Sequence, residues 1–213
     1  MPTRRLGWLV GLLAAVAAIS GCIQPVSTVD LTKTALAPFA VVPTNAPVAL
    51  PAGATPSPTL LVEQFILSRG EQPNDLQMWY DQPQAFDRLQ GFSYTGMTGV
   101  PCVGYLLSTL ANGVWQPNNG ALVCADSPAA EAFAAVTYFL TSTGEPTTIV
   151  FGRVMNPAAT AVAVVFNDGT SQQAAPQAGG FLVVRPDVVA ATVITAINAE
   201  GNTVIPNIPQ LPV

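Results

Sequence analysis

A series of turn signals constrains this chain more than any other feature. Asn112-Gly113, Ser142-Thr143-Gly144-Glu145-Pro146, Asn167-Asp168-Gly169, Ala178-Gly179-Gly180 and Glu200-Gly201-Asn202 divide short apolar runs at near-even spacing. Gly accepts positive φ without steric cost, and Asn and Asp bond to their own backbone, so such clusters reverse the chain cheaply. The chain holds 17 Gly and 20 Pro, too many for a helical bundle. Short strands joined by tight turns fit this rhythm, and they make an antiparallel β-sandwich. The predicted strands run from Ala135 to Leu140, Thr147 to Val154, Ala161 to Phe166, Phe181 to Arg185 and Thr192 to Asn198. A weaker one occupies Ser171 to Ala175. Val162, Val164 and Phe166 alternate with Ala161, Ala163 and Val165, so both faces are apolar, as in a central strand covered on both sides or a sandwich with one face shielded by the first half of the chain.

Upstream, "PCVGYLLSTLANGVWQPNNGALVC" places two apolar runs around Asn112-Gly113, the best dipeptide for a type I′ turn. Folding back there sets Ala111 opposite Val114, which puts Cys102 opposite Val123. One extra residue, a bulge near Pro117-Asn118-Asn119-Gly120, moves the register and brings Cys102 to Cys124. Ser127-Pro128 reads as a helix start, with serine as cap and proline at the first helical position. The helix is short, because β-branched and aromatic residues follow in "VTYFLTSTG". Between residues 60 and 99, Leu60, Leu61, Phe65 and Leu67 are compatible with a buried strand or a short helix, and strand is favoured because Ser68-Arg69-Gly70 and Gln72-Pro73-Asn74 end the run early. Short helical turns are expected from Asp75 and over Pro83 to Leu89. The fold class is thus mainly β, an antiparallel β-sandwich with one or two short helices. The rhythm of Gly152-Arg153-Val154, Asp168-Gly169 and Gly180-Phe181 resembles the small sandwiches that serve as accessory domains of secreted bacterial proteins.

The amino terminus carries a different message. Arg4 and Arg5 precede the uncharged run Leu6 to Ile19, which ends at Ser20-Gly21-Cys22. Fourteen residues are too few to span a bilayer core, which takes roughly 20. They suit the apolar region of a signal peptide. Ile19-Ser20-Gly21-Cys22 resembles the lipobox of bacterial lipoproteins, an aliphatic residue and two small ones before the modified cysteine. The resemblance implies a signal peptide over residues 1–21, a thioether-linked diacylglycerol on Cys22, and a further acyl chain on the new amino terminus. Two or more chains hold a protein stably on a membrane. Arg4-Arg5 hints at twin-arginine export, but Gly7 stands where an apolar residue belongs. With Cys22 acylated, Cys102 and Cys124 remain as a pair, and in an exported protein such a pair forms a disulfide.

Residues 23–59 contain seven prolines among Ala, Thr, Ser and Val. Proline excludes a helix there, and the small side chains give little to pack. With Cys22 the segment 22–59 is expected to be a semi-rigid tether reaching about 100 Å at ~3.1 Å per residue. The β-rich domain is expected over 60–206, followed by an irregular tail, 207–213, with Pro209 and Pro212.

Composition then excludes much chemistry. The chain has no histidine, which removes Ser-His-Asp and Cys-His catalysis and His-ligated metals. All twelve acidic residues follow Cys22, against Lys33, Arg69, Arg88, Arg153 and Arg185, a net charge of −7 for that part. Nucleic acid is therefore not an expected partner. The sole lysine, Lys33, lies in the tether, and no phosphate-binding glycine loop is present.

Three candidate chemistries remain. Trp79, Tyr80 and Trp115, near Met78, Tyr94 and Tyr105, are candidate ligand-binding aromatics, with Gln77, Asp81, Gln82 and Gln84 to catch sugar hydroxyls. The competing reading, which we favour, places Trp79 and Trp115 in the core. Asp75, Asp81 and Asp87, with Glu63 and Glu71, are the only basis for a carboxylate hydrolase, and nothing in their spacing makes two of them converge. Asn167-Asp168-Gly169-Thr170 offers oxygen donors for calcium, but a hairpin turn accounts for it. No cofactor is expected beyond the covalent lipid on Cys22, and no metal. The reading is a lipid-anchored, non-catalytic module outside the cytoplasmic membrane, on the cell membrane or an outer membrane. Its partners are the membrane and an envelope glycan or protein.

Overall fold

The computed structural model describes residues 56–83, 87–141 and 143–213; the leader, Cys22 and nearly all of the tether lie outside them. Ser57 is extended (φ −62°, ψ 151°), and its hydroxyl accepts the Leu60 N–H at 3.2 Å. Pro58 follows as the first helical residue, so helix α1, Pro58–Ser68, begins with a Ser-Pro cap. Leu61, Val62, Phe65 and Ile66 are buried and make one stripe at helical spacing. Gly70, at φ +80°, closes the helix. This corrects the strand expected over Leu60 to Leu67. Among the described residues no helix is long and apolar enough to cross a membrane.

Four strands follow as a meander, sheet A, in the order β1 (Asn74–Pro83), β2 (Asp87–Thr95), β3 (Pro101–Ala111) and β4 (Val114–Cys124). The helical turns expected at Asp75 and over Pro83 to Leu89 are therefore strand. β1 is a polar edge strand whose alternation is broken twice, between Asn74 and Gln77 and between Met78 and Tyr80. Those bulges hide its period from the sequence. The β3–β4 hairpin has the expected form. Asn112 and Gly113 adopt φ 54° and 79°, and Ala111 faces Val114. Leu107 faces Asn119 while Ser108 faces Pro117, so Asn118 is the extra residue. Cys102 is then directly opposite Cys124, their Cα atoms 4.0 Å apart, and the two are disulfide-bonded.

Ser127-Pro128 gives only a single turn, in which Ala130 N–H donates to the Ser127 carbonyl at 3.2 Å. The short helix expected there does not form, because strand β5 (Ala132–Leu140) pairs with β6 (Pro146–Val154) along its whole length. β9 (Gly180–Arg185) completes sheet B in the order β5-β6-β9. Sheet C has the order β11-β10-β7-β8, from β7 (Ala161–Phe166), β8 (Ser171–Ala174), β10 (Ala191–Ile197) and β11 (Thr203–Ile205). All pairings within the three sheets are antiparallel.

The layers stack in a fixed order: α1, sheet A, sheet B, sheet C. One face of sheet A carries Phe92, Tyr94 and Leu106 against α1. Its other face sets Trp79, Val103 and Tyr105 against Phe133, Ile149 and Phe151 of sheet B. The reverse of sheet B puts Ala134, Val150 and Phe181 against Val162, Val164 and Ile194 of sheet C. Each large side chain buried this way contributes about 1.5–3 kcal/mol. Sheet B is thus the layer covered by another sheet on both faces. In β7 Val162, Val164 and Phe166 are buried but Val165 is exposed, which corrects the expectation of a central strand covered on both sides.

Close approach of the layers uses glycine. A Cβ on Gly152 would lie 2.6 Å from the ring of Phe181, its cross-strand partner, so the phenyl ring covers the strand where a side chain is missing. Residues 207–213 form no strand, yet they are held. Ile208 is buried, Ala134 N–H donates to the Pro209 carbonyl at 2.9 Å, and Leu211 N–H donates to the Ala134 carbonyl at 2.7 Å. The last residues therefore cover part of the outer edge of β5.

Candidate functional site

The three aromatics singled out in the sequence do not share a surface. Trp79 is the bulged residue of β1, which turns its indole to the same side as Tyr80, between sheets A and B. It is 8% exposed. A Cβ on Gly180 would fall 2.2 Å from Trp79 Cε2, and one on Gly91 2.6 Å from Trp79 Cη2. The two glycines make a slot that the indole fills, and no flat face remains for a sugar ring. Tyr80 is half-buried against the same core, with its hydroxyl bonded to Gln82 Oε1. Trp115 lies on the opposite face of sheet A, beside the α1 core, with the Arg88 guanidinium 5.9 Å from its ring centroid. Gln84 is outside the described residues.

Two of the candidate carboxylates, Asp81 and Asp87, are engaged in local structure. Asp81 accepts two bonds from Arg88, at 2.7 Å and 2.5 Å, across the β1–β2 hairpin. Asp87 accepts from the Thr109 hydroxyl at 3.1 Å. Among the described residues no group of three or more His, Cys, Asp or Glu is placed to hold a metal ion. In the Asn167-Asp168-Gly169-Thr170 turn, Asp168 accepts the Thr170 hydroxyl at 2.7 Å and the Thr170 N–H at 3.0 Å. Arg185 Nη2 donates to Asp168 at 3.0 Å and to Asp187 at 2.7 Å, with the guanidinium 4.8 Å over the Phe166 ring. The Thr170 bonds first, and Arg185 after them, hold the Asp168 carboxyl below its ordinary range. These oxygens join the β7–β8 turn to β9.

Sequence reading missed a cleft of about 350 Å³ where β6 ends, lined by Arg153, Met155, Asn156, Pro157, Pro176 and Gly179 among others. Arg153 follows Ile149 and Phe151 on the alternating face of β6, so its side chain leaves the seam between sheets A and B. Its Nη1 donates to the Tyr94 carbonyl at 3.4 Å, while its Nε is buried without a partner. Burial lowers its pKa from the ordinary guanidinium value. The facing wall is the Ala178-Gly179 turn, with φ 47° and 80°, closed by bonds between Gln177 and Gly180 at 2.7 Å and 2.9 Å. Gly179 sits against the Arg153 side chain, and an alanine there would be crowded, its Cβ 3.1 Å from the Val154 carbonyl oxygen. The signal in the sequence was a charge set inside the apolar run "TTIVFGRVM". Comparison with family models, with curated proteins and with solved structures returned no match.

Proposed function

We propose that the chain is an exported lipoprotein, held to the membrane through acyl chains on Cys22, whose folded part is a non-catalytic interaction module on the cell envelope. The observation that carries this reading is the Cys102–Cys124 disulfide. Disulfides form and persist in oxidising compartments, and a reducing cytosol would keep this pair as thiols. The charged start, the short apolar run and Ile19-Ser20-Gly21-Cys22 support the same compartment from the sequence. The lack of histidine supports a binding role over a catalytic one. A sugar platform built on Trp79 loses its support, because that indole is buried.

Mass spectrometry of the mature amino terminus tests the anchor. The expected product begins at an acylated Cys22, and Cys22→Ala should move the protein from the membrane to the soluble fraction. An unmodified residue 22, or an intact leader, overturns the anchor. Alkylation of unreduced protein should label neither Cys102 nor Cys124; free thiols there overturn the compartment.

A further inference from the structure

We propose that the Arg153 cleft binds a carboxylate, carried by a small ligand of sugar-acid size. The proposal deepens the interaction-module reading by giving the partner a chemistry, but its geometry does not depend on the anchor.

The first ground is the hydrogen-bond inventory. A guanidinium has five N–H donors. Arg153 uses one of them, at 3.4 Å, and its Nε is buried and unpaired. The other strand arginines are neutralised: Arg88 by Asp81, and Arg185 by Asp168 and Asp187. Arg69 caps α1 and is exposed. Arg153 is the half-buried cation that no carboxylate among the described residues faces. A partly desolvated charge without a counter-charge is costly, and a carboxylate seated on it removes that cost.

The second ground is the cleft itself. Its volume of about 350 Å³ sits at the small end of ligand sites. Met155, Pro157 and Pro176 line it, the exposed lining is more polar than apolar, and Asn156 adds an amide. Asn156 Oδ1 accepts from Ala158 N–H at 3.0 Å, while its Nδ2 makes no hydrogen bond among the described residues. Guanidinium and amide N–H groups are both donors, which suits a ligand that only accepts. The third ground is charge. One guanidinium neutralises one negative charge, and the chain as a whole is at −5. A monocarboxylate fits that balance, whereas a phosphate or a polyanion would be repelled.

The test is an amide-resolved NMR titration of the full-length chain with glucuronate, acetate, inorganic phosphate and, as the neutral control, glucose. Glucuronate and acetate should give saturable shifts at Arg153, Asn156 and Gly179, weakening as salt is raised. Glucose should give none there, and phosphate should bind more weakly than glucuronate. Arg153→Gln should weaken glucuronate binding roughly tenfold or more, and Arg153→Lys should fall between, keeping charge without the fork. Equal response to glucose, a preference for phosphate, no saturation into the tens of millimolar, or unchanged binding in Arg153→Gln overturns the proposal. If Arg153→Gln does not fold, the wild-type contrast between glucuronate and glucose decides alone. Cys22→Ala protein should bind glucuronate as the parent does, so failure of the anchor and failure of the cleft are read separately.

Discussion

Replacing Gly180 by alanine should cost stability for one reason, the indole of Trp79. Gly180 is not in the left-handed region, so its backbone accepts alanine without strain. The added methyl would stand 2.2 Å from Trp79 Cε2 and 2.4 Å from Nε1. The ring has no retreat, because Gly91 on its other side leaves no room even for its own Cβ, at 2.6 Å. Overpacking a filled core costs about 1–3 kcal/mol, and a rigid ring blocked on two sides places this case near about 3. In a domain of this size that lowers Tm by roughly 6–12 °C. Trp79→Phe removes the part of the ring that meets Gly180. In that background Gly180→Ala should cost less than about 1 kcal/mol, a coupling of about 2 kcal/mol across the cycle. Urea unfolding followed by far-ultraviolet circular dichroism measures all four proteins without relying on the tryptophan removed. Equal cost in both backgrounds, within about 0.5 kcal/mol, refutes the slot.

Ala178 occupies the first position of its turn at φ 47°, where Asn112 sits at 54° in the β3–β4 turn. Ala178→Asn should therefore raise stability by about 1 kcal/mol, seen as a higher urea midpoint; no gain would show that alanine carries no strain there. Replacing Cys102 and Cys124 together by alanine should cost about 3 kcal/mol in the chain-entropy account, and a loss well below that would mean the unfolded hairpin is already closed. Tyr105 is buried between the sheets with its hydroxyl 2.8 Å from Thr137 Oγ1, and burial pushes its pKa up to about 12. The unfolded phenol titrates near about 10, so the folded state holds the proton longer. Its contribution is complete below about pH 10 and is lost as pH rises toward the folded value, by up to ~1.4 kcal/mol per pH unit. Tyr105→Phe should flatten that alkaline slope in urea titrations; an unchanged slope assigns it elsewhere.

Turn chemistry made the second half legible. Asn112-Gly113, Asn167-Asp168-Gly169 and Glu200-Gly201-Asn202 are all hairpin turns, because positive φ and side-chain to backbone bonds are local properties that residue type reveals. The Asn118 bulge was readable too, since the two cysteines needed one extra residue to meet. The Ser-Pro dipeptide shows the limit of such signals. Ser57-Pro58 starts a helix, while Ser127-Pro128 makes one turn. Both serines accept a nearby backbone N–H, so the local chemistry is alike. The downstream residues differ. Leu61, Val62, Phe65 and Ile66 make a stripe that sheet A covers, whereas Phe133, Ala134 and Ala135 are claimed by pairing with β6 and by two cores at once. Tertiary pairing settled both cases. β1 was illegible because bulges broke its alternation, and the burial of Trp79 depends on Gly180, 101 positions away by the numbering. The Arg153 cleft is likewise assembled from β6 and the β8–β9 turn, which no linear motif joins.

The twice-covered middle sheet sets a schedule for a chain that emerges amino terminus first. Sheet A is complete once Cys124 has appeared, but its apolar side waits for a layer whose third strand ends at Arg185. At about 5–20 residues per second the roughly 60 residues between take on the order of 3–12 s to synthesise. For most of that interval the Trp79 slot stands open on the side that Gly180 closes. A premature stop before Gly180 would leave a half-covered meander with its indole slot unfinished, a substrate for quality control.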